Sequence, residues 1–138
     1  MILIDNATGT GAQNAVLVRL NTDTGNNYYR YGPVIVNTAS YSSDVVQHSV
    51  TNTSGVFLIQ YSSNGASTGS GYFMITGCNS SGVKVFNGAG ASNAGGGTGS
   101  IMNDVGGYYN SASTISSISL FNNTANFSAG TVFVYTSA

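Results

Sequence analysis

The chain alternates short runs of β-branched and aromatic residues with clusters of Asn, Gly and Ser, and this rhythm constrains the fold more than any other feature. The runs recur about every eight to twelve residues, which is a spacing typical of β-sandwiches and barrels. Helix formers are scarce, because the chain has no Glu and only three Lys and Arg residues in total, and these long side chains favour helices. The sequence therefore predicts an all-β fold.

The apolar runs predict about eleven strands, of which two or three should merge or prove to be loops. They lie near residues 2–4, 15–20, 28–31, 34–38, 45–50, 56–62, 72–78, 83–87, 100–105, 115–121 and 131–136. A chain of 138 residues can bury one core but hardly two. We therefore expect a single-domain antiparallel β-sandwich or jelly roll of about 8–10 strands with long Gly/Ser/Asn-rich loops.

The domain should span residues 15–138, preceded by a candidate N-terminal arm of residues 1–14. In this arm the short apolar run Ile2-Leu3-Ile4 is followed by a flexible stretch, so that it could add a strand to a neighbouring chain.

Turn residues mark several connections between the expected strands. Residues 23–27, DTGNN, predict a hairpin turn because Asp, Gly and Asn tolerate positive φ angles. Pro33, the only proline, should begin a strand or sit at a sheet edge, where its missing N–H does no harm. The low-complexity stretch 88–99 predicts a long loop that cannot pack a core of its own.

Two of the expected strands carry large apolar side chains on both faces, and these strands are Val56-Phe57-Leu58-Ile59 and Tyr72-Phe73-Met74-Ile75. Simple alternation places the first and third residues of each run on one face and the second and fourth on the other. Either a crossing loop or another subunit must cover the second face. The shortage of charge favours another subunit.

Charged side chains are rare, since the chain has three Lys and Arg residues and four Asp, whereas about a quarter of the residues of a soluble domain are charged. Because surface charge keeps proteins apart in solution, a chain with so few charged side chains is suited to an assembly. The net charge of −1 offers no basic face to nucleic acid. The first residues resemble neither a signal peptide nor a membrane span, so synthesis in a cytoplasm is expected.

Few residues are suited to catalysis or metal binding. Asp23-Thr24-Gly25 matches the aspartic protease signature, but its Asn and Thr flanks indicate a solvated turn. The four Asp residues could form a glycosidase pair only by chance. His48, the only histidine, cannot build a zinc site within one chain, and Cys78 is expected to be a small buried hydrophobe. We expect no enzyme, no cofactor and no metal.

The nine tyrosines suit either a protein interface or a platform for sugar rings, and the interface is the favoured interpretation. The candidate interface residues are Ile2, Leu3, Ile4, Tyr28, Tyr29, Tyr31, Tyr72, Tyr108 and Tyr109.

Two segments carry a family resemblance. Residues 15–28, AVLVRLNTDTGNNY, resemble the strand, Asn-x-Asp-x-Gly-x-Asn turn and following Tyr of tailed-bacteriophage virion structural proteins of jelly-roll type. Residues 115–121, ISSISLF, and 126–135, NFSAGTVFVY, resemble the C-terminal hairpin of the same group. The resemblance implies a virion component, and members of the group include capsid decoration or cement proteins and proteins of tails and fibres.

Resemblance and composition together predict a non-enzymatic capsid decoration protein that assembles as a homotrimer and clamps neighbouring coat subunits. Its partners would be copies of itself and the major capsid protein or another virion protein. The alternative is a tail or fibre tip domain that binds host surface carbohydrate. In either case the protein would be made in the host cytoplasm and located in the virion.

Overall fold

The computed structural model describes residues 1–10, 15–36, 45–48, 51–60, 68–93, 100–123 and 126–137, and the regular structure of this part is entirely β-strand. Its strands are β1 (Ile2–Gly9), β2 (Ala15–Leu20), β3 (Tyr28–Tyr31), β4 (Pro33–Val36), β5 (Val45–His48), β6 (Thr51–Thr53), β7 (Val56–Gln60), β8 (Thr68–Thr76), β9 (Lys84–Ser92), β10 (Ile101–Tyr109), β11 (Ile118–Asn122) and β12 (Phe127–Val134). The prediction of an all-β fold is confirmed.

The strands form two antiparallel sheets that pack against each other. The large sheet has the order β12-β1-β8-β9-β10-β3-β6, and β4 and β5 extend it beside β10. The small sheet has the order β11-β2-β7, and β7 lies against β8, β9 and β10. This is an antiparallel β-sandwich, as predicted. The finer expectation of jelly-roll connectivity remains a prediction.

The described residues contain twelve strands, more than the roughly 8–10 predicted from turn spacing. One reason is that β3 and β4 lie end to end along β10 as separate strands. The break falls at Gly32, whose φ is 138°, and Pro33 begins β4 as predicted. A second reason is β6, a short strand of polar residues that the search for apolar runs missed.

The predicted Gly-rich loop is wrong for the part that the structure describes. Residues 88–92 form the second half of β9, paired with β8 on one side and β10 on the other, while residues 94–99 lie outside the described residues. A Cβ atom at Gly90 would stand 2.4 Å from the Leu58 carbonyl oxygen and 2.7 Å from Ile59 Cγ1. β7 therefore lies so close to β9 that only a glycine fits between them.

The hydrophobic core fills the space between the sheets. The large sheet contributes Ile2, Ile4, Phe73, Phe86 and Val105, and the small sheet contributes Val16, Val18, Leu20, Val56, Leu58 and Ile59. The rings of Phe73 and Phe86 come from neighbouring strands and pack at a centroid distance of 5.4 Å.

Simple alternation fails in β7. Val16 of β2 pairs with Ile59 and Leu17 pairs with Phe57, so that Leu58 is skipped as a β-bulge. Leu58 and Ile59 are both fully buried, whereas Phe57 is half-buried. The prediction that Phe57 and Ile59 share a face is therefore wrong, because the bulge reverses the direction of every side chain beyond it.

The candidate N-terminal arm is integrated into the domain as far as residue 10. β1 lies between β12 and β8 in the large sheet, and Ile2 and Ile4 are buried in the core. This corrects the expectation of a free arm, because apolar side chains at alternate positions find a closer partner in the chain's own core. Residues 11–14 lie outside the described residues.

Replacing Gly90 with Ala tests the close contact between the sheets. We expect a loss of about 1–3 kcal/mol in the free energy of unfolding, because the new methyl group meets backbone that cannot yield easily. Urea denaturation measures this quantity. The matched control is Ala91→Val on the exposed side of the same strand, which should change stability by less than about 0.5 kcal/mol. Equal effects of the two substitutions would contradict the close contact.

Candidate interaction surface

Because side chains alternate along each strand, the large sheet has two faces, and only one of them packs on the small sheet. The inner face packs on the small sheet, and the opposite side is here called the outer face. Residues are assigned to the outer face when their neighbours along the strand point inward, or when they pair in register with such a residue. The large apolar side chains of this face are Leu3, Tyr29, Tyr31, Tyr72, Met74, Val85, Met102, Tyr108 and Phe133. They come from β1, β3, β8, β9, β10 and β12 and so span the width of the sheet.

The outer face is apolar and accessible. Tyr72 is 40% exposed, Met102 50% and Val85 57%, although all three belong to central strands of the sheet. The register places Phe133, Leu3 and Tyr72 side by side on three adjacent strands. Monomeric proteins seldom leave such a contiguous apolar area open to water. The outer face is therefore the strongest candidate for a contact with another molecule.

Tyrosines form a cluster at one end of the outer face. The rings of Tyr29 and Tyr108 stack at a centroid distance of 4.6 Å and an interplanar angle of 11°, and the phenol of Tyr31 lies near that of Tyr108. The pKa of Tyr108 is raised above its usual value, mainly because the phenol loses hydration and to a smaller extent because of the neighbouring tyrosines. The Tyr108 phenol therefore offers a neutral donor and acceptor to a partner.

All three Lys and Arg side chains lie away from the outer face. Lys84 is fully buried and its Nζ donates to the Ser111 carbonyl at 2.8 Å. The Arg19 guanidinium stands 4.1 Å from the centroid of the Phe121 ring on the small sheet. Arg30 points inward from β3 and is 4% exposed, and burial lowers its pKa. Among the described residues, its Nε and Nη2 atoms have no hydrogen-bond partner.

The charges that remain on the outer face are carboxylates. Asp104 is exposed on β10 between Asn103 and Val105, both of which are buried. Asp5 lies near the edge of the sheet on β1, where its Oδ1 accepts a hydrogen bond from the Asn6 side chain at 3.0 Å. The surface is therefore apolar with a slight negative character. A complementary partner would present apolar side chains and hydrogen-bond donors.

The structure divides the predicted interface residues into two groups. Leu3, Tyr29, Tyr31, Tyr72 and Tyr108 lie on the outer face. Ile2, Ile4, Tyr28 and Tyr109 are buried in the core and are unavailable to a partner, which corrects their assignment.

The interface residues predicted from the sequence did not include four further residues of this face, which are Met74, Val85, Met102 and Phe133. The alternation of Val85 with Phe86 and of Met102 with Asn103 shows in the sequence that Val85 and Met102 lie on the opposite face from their neighbours. Only the knowledge of which face is buried turns that alternation into a prediction of exposure.

The Asp-Thr-Gly motif forms a structural turn. Asp23 Oδ1 accepts the Gly25 N–H at 2.7 Å, and its Oδ2 accepts hydrogen bonds from the Asn27 amide and the Tyr109 hydroxyl, both at 2.8 Å. The Asn27 hydrogen bond is the largest cause that lowers the pKa of Asp23 below its usual value, with the Gly25 and Tyr109 bonds adding to it and burial opposing it. The aspartate is bonded to its own loop as predicted, but the expected hairpin is wrong, because β2 and β3 lie in different sheets and the turn connects the two.

Tyr28 and Tyr109 secure this turn from inside the core. Their rings pack at a centroid distance of 4.9 Å. The Tyr28 hydroxyl accepts the Leu20 N–H at 2.9 Å and donates to carbonyl oxygens of Leu20 and Asp23. Burial raises the pKa of Tyr28 to about 12. These two tyrosines therefore join β2, β3 and β10 and act as structural residues.

The structure describes only some of the other candidate catalytic and metal-binding residues. Cys78 is half-buried in the turn after β8 and not within a strand. Asp44 lies outside the described residues, and His48 is described only as the last residue of β5. In the part of the chain that the structure describes, no three His, Cys, Asp or Glu residues form a group that could hold a metal ion.

Neither a protein-family model nor a curated protein nor a solved structure matches the chain. Among the described residues there is no helix with the length and hydrophobicity of a membrane span.

Tyr28→Phe tests the internal role of this tyrosine. The variant leaves the buried Leu20 N–H without its acceptor, so we expect a loss of about 1–3 kcal/mol in the free energy of unfolding. Tyr29→Phe is the matched control, because the neighbouring ring lies on the outer face. A Tyr28→Phe variant as stable as Tyr29→Phe would show that the hydroxyl is dispensable.

Acid denaturation tests the Asp23 turn. Because the folded protein holds the pKa of Asp23 below its unfolded value, ionised Asp23 stabilises the fold above the unfolded pKa of about 3.9. This stabilisation disappears as the pH falls through the lower pKa of the folded state. Asp23→Asn should flatten the pH dependence of the free energy of unfolding between about pH 5 and pH 2, and Asn27→Ala should shift it in the same direction. An unchanged slope in Asp23→Asn would refute the assignment.

Proposed function

We propose that this protein is a non-enzymatic structural subunit of a tailed-bacteriophage virion, and specifically a capsid decoration protein that assembles as a trimer and clamps neighbouring coat subunits. The outer face is the observation that carries the proposal, because it is broad, apolar and free of cations. The resemblance of residues 15–28, 115–121 and 126–135 to virion proteins supplies the class of assembly.

The mechanism is mechanical. Each subunit covers a junction between coat proteins, so that separating them requires the outer face to return to water. A contact on the order of 1,000 Å² contributes roughly 25 kcal/mol of gross hydrophobic free energy at about 25 cal/mol per Å², most of which is offset by the cost of association. Linking several subunits into one trimer turns modest contacts into a durable clamp.

A stiff sheet suits this task better than a set of loops. The outer-face side chains stand on strands paired on both sides, with the exception of Phe133 on the edge strand β12. Their positions are fixed before the partner arrives, so that little conformational entropy is lost on binding. The nearly charge-free surface also keeps the contact independent of ionic strength.

Carbohydrate binding by a tail or fibre tip is the second candidate. Tyr31 is 45% exposed beside the Tyr29–Tyr108 pair and could place a ring under a sugar. The mutual stacking of Tyr29 and Tyr108 favours a protein partner, however, because each ring already covers one face of the other.

Lysine substitutions on the outer face test the proposed contact. Tyr72→Lys and Met102→Lys each place an ammonium group in the apolar contact, so we expect binding to capsids that lack the protein to weaken by at least about tenfold. The matched control is Thr24→Lys, which adds the same charge in the exposed turn between β2 and β3 and should bind normally. Co-sedimentation with particles measures the bound fraction. Equal binding by all three variants would exclude the outer face as the contact.

Salt and stoichiometry test the nature and the place of the contact. The bound fraction of the wild-type protein should change little between about 0.1 M and 1 M NaCl, whereas release by salt would indicate an electrostatic contact. The number of copies in purified particles should scale with the number of coat subunits. A number near that of tail or fibre components would support the second candidate, as would glycan binding by the isolated protein.

A further inference from the structure

The last strand leaves one edge of the large sheet open. β12 pairs with β1 on one side, and within the described residues it has no neighbour on the other. All eight of its residues, FSAGTVFV, are exposed and uncharged. Natural proteins usually protect such an edge with a charge or a proline, because exposed backbone groups there accept a further strand.

The hydrogen bonds at the end of β12 show which backbone groups are free. The Met1 amino group donates to the Tyr135 carbonyl at 2.7 Å, and the Tyr135 N–H donates to the Met1 carbonyl at 2.8 Å. The register is regular from this pair to Asp5–Thr131, and in antiparallel sheets such pairs alternate. The N–H and C=O groups of Phe133 therefore point toward β1, whereas those of Val132 and Val134 point toward the open edge.

We infer that β12 of one molecule pairs antiparallel with β12 of a second copy about a two-fold axis that passes beside Phe133. In this register Val132 of each copy lies opposite Val134 of the other, and each such pair exchanges two backbone hydrogen bonds. Every backbone group that points outward from Val132 and Val134 then has a partner. The two Phe133 residues face each other as the non-hydrogen-bonded pair between them, where side chains come closest.

The surroundings of the strand suit a second copy. Val132 and Val134 are 47% and 65% exposed, and in the pair they would form one cluster of four valines. An apolar pocket of about 320 Å³ beside β12, lined by Ile4, Val16, Leu120 and Phe127 among others, continues this cluster in each molecule. β12 carries no charge, so that its own side chains do not repel those of an identical strand.

The pairing does not depend on the partner of the outer face. The two-fold contact alone would produce a dimer, and together with a three-fold contact it would link trimers. The large sheets of two molecules would become one continuous sheet, with both outer faces on the same side.

Cysteine cross-linking tests the pairing and its register. In a Cys78→Ser background, Phe133→Cys should form an intermolecular disulfide on mild oxidation, because Cα atoms of a non-hydrogen-bonded pair are about 4.5 Å apart, which lies within the range that a disulfide spans. Thr131→Cys is the matched control on the same face of the same strand. Its copies would lie about 13 Å apart along the strands, so that it should remain uncross-linked.

The oligomeric state supplies an independent measurement. Analytical ultracentrifugation of the wild-type protein should show an even-numbered assembly. The double variant Val132→Lys, Val134→Lys gathers four ammonium groups at the axis and should raise the dissociation constant at least about tenfold, whereas Thr24→Lys should leave it unchanged. Cross-linking of Thr131→Cys as efficient as that of Phe133→Cys would overturn the inferred register. A monomeric wild-type protein, or a Phe133→Cys variant that fails to cross-link, would overturn the pairing itself.

Discussion

The close approach of β7 to β9 is the contact on which the rest of the sandwich depends. Leu58 has no partner in the register between β7 and β2, and its carbonyl oxygen is directed toward the large sheet. That oxygen lies over Gly90 and accepts a hydrogen bond from the Asn103 side chain of β10 at 3.3 Å. A buried carbonyl without this donor would be costly. The glycines of β9 and the amide of Asn103 thus let the small sheet settle into the middle of the large one.

This contact also determines which apolar side chains are buried and which are exposed. The small sheet has three strands and covers only part of the large sheet. Its position buries Phe73 and Phe86 and leaves Tyr72 and Val85, their neighbours in sequence, on the uncovered side. Two of the three Lys and Arg side chains are buried and the third lies on the small sheet, so the outer face is left almost without charge. A surface suited to permanent contact therefore arises from where the core is placed.

The sequence predicted the fold well wherever apolar runs were bounded by turn residues. β2 and β3 have the predicted bounds, and the Asp23 turn between them has the expected bonding. Prediction failed where a strand lacked large side chains, as in the Gly-rich half of β9 and in the polar strand β6. Glycine in a sequence indicates a loop in general, and only the position of β7 explains its use inside a sheet.

The outer face was likewise predictable from the sequence only in part. By itself, the sequence determined that this chain is an all-β protein with few charges and with strands that are apolar on both faces. It could not determine which face turns inward, because alternation has the same period whichever side is buried. The tertiary structure alone decided that Ile2, Ile4, Tyr28 and Tyr109 belong to the core while Leu3, Tyr72 and Tyr108 face outward. The physical reason is that burial depends on the sheet lying opposite, and the residues of that sheet are distant in the sequence.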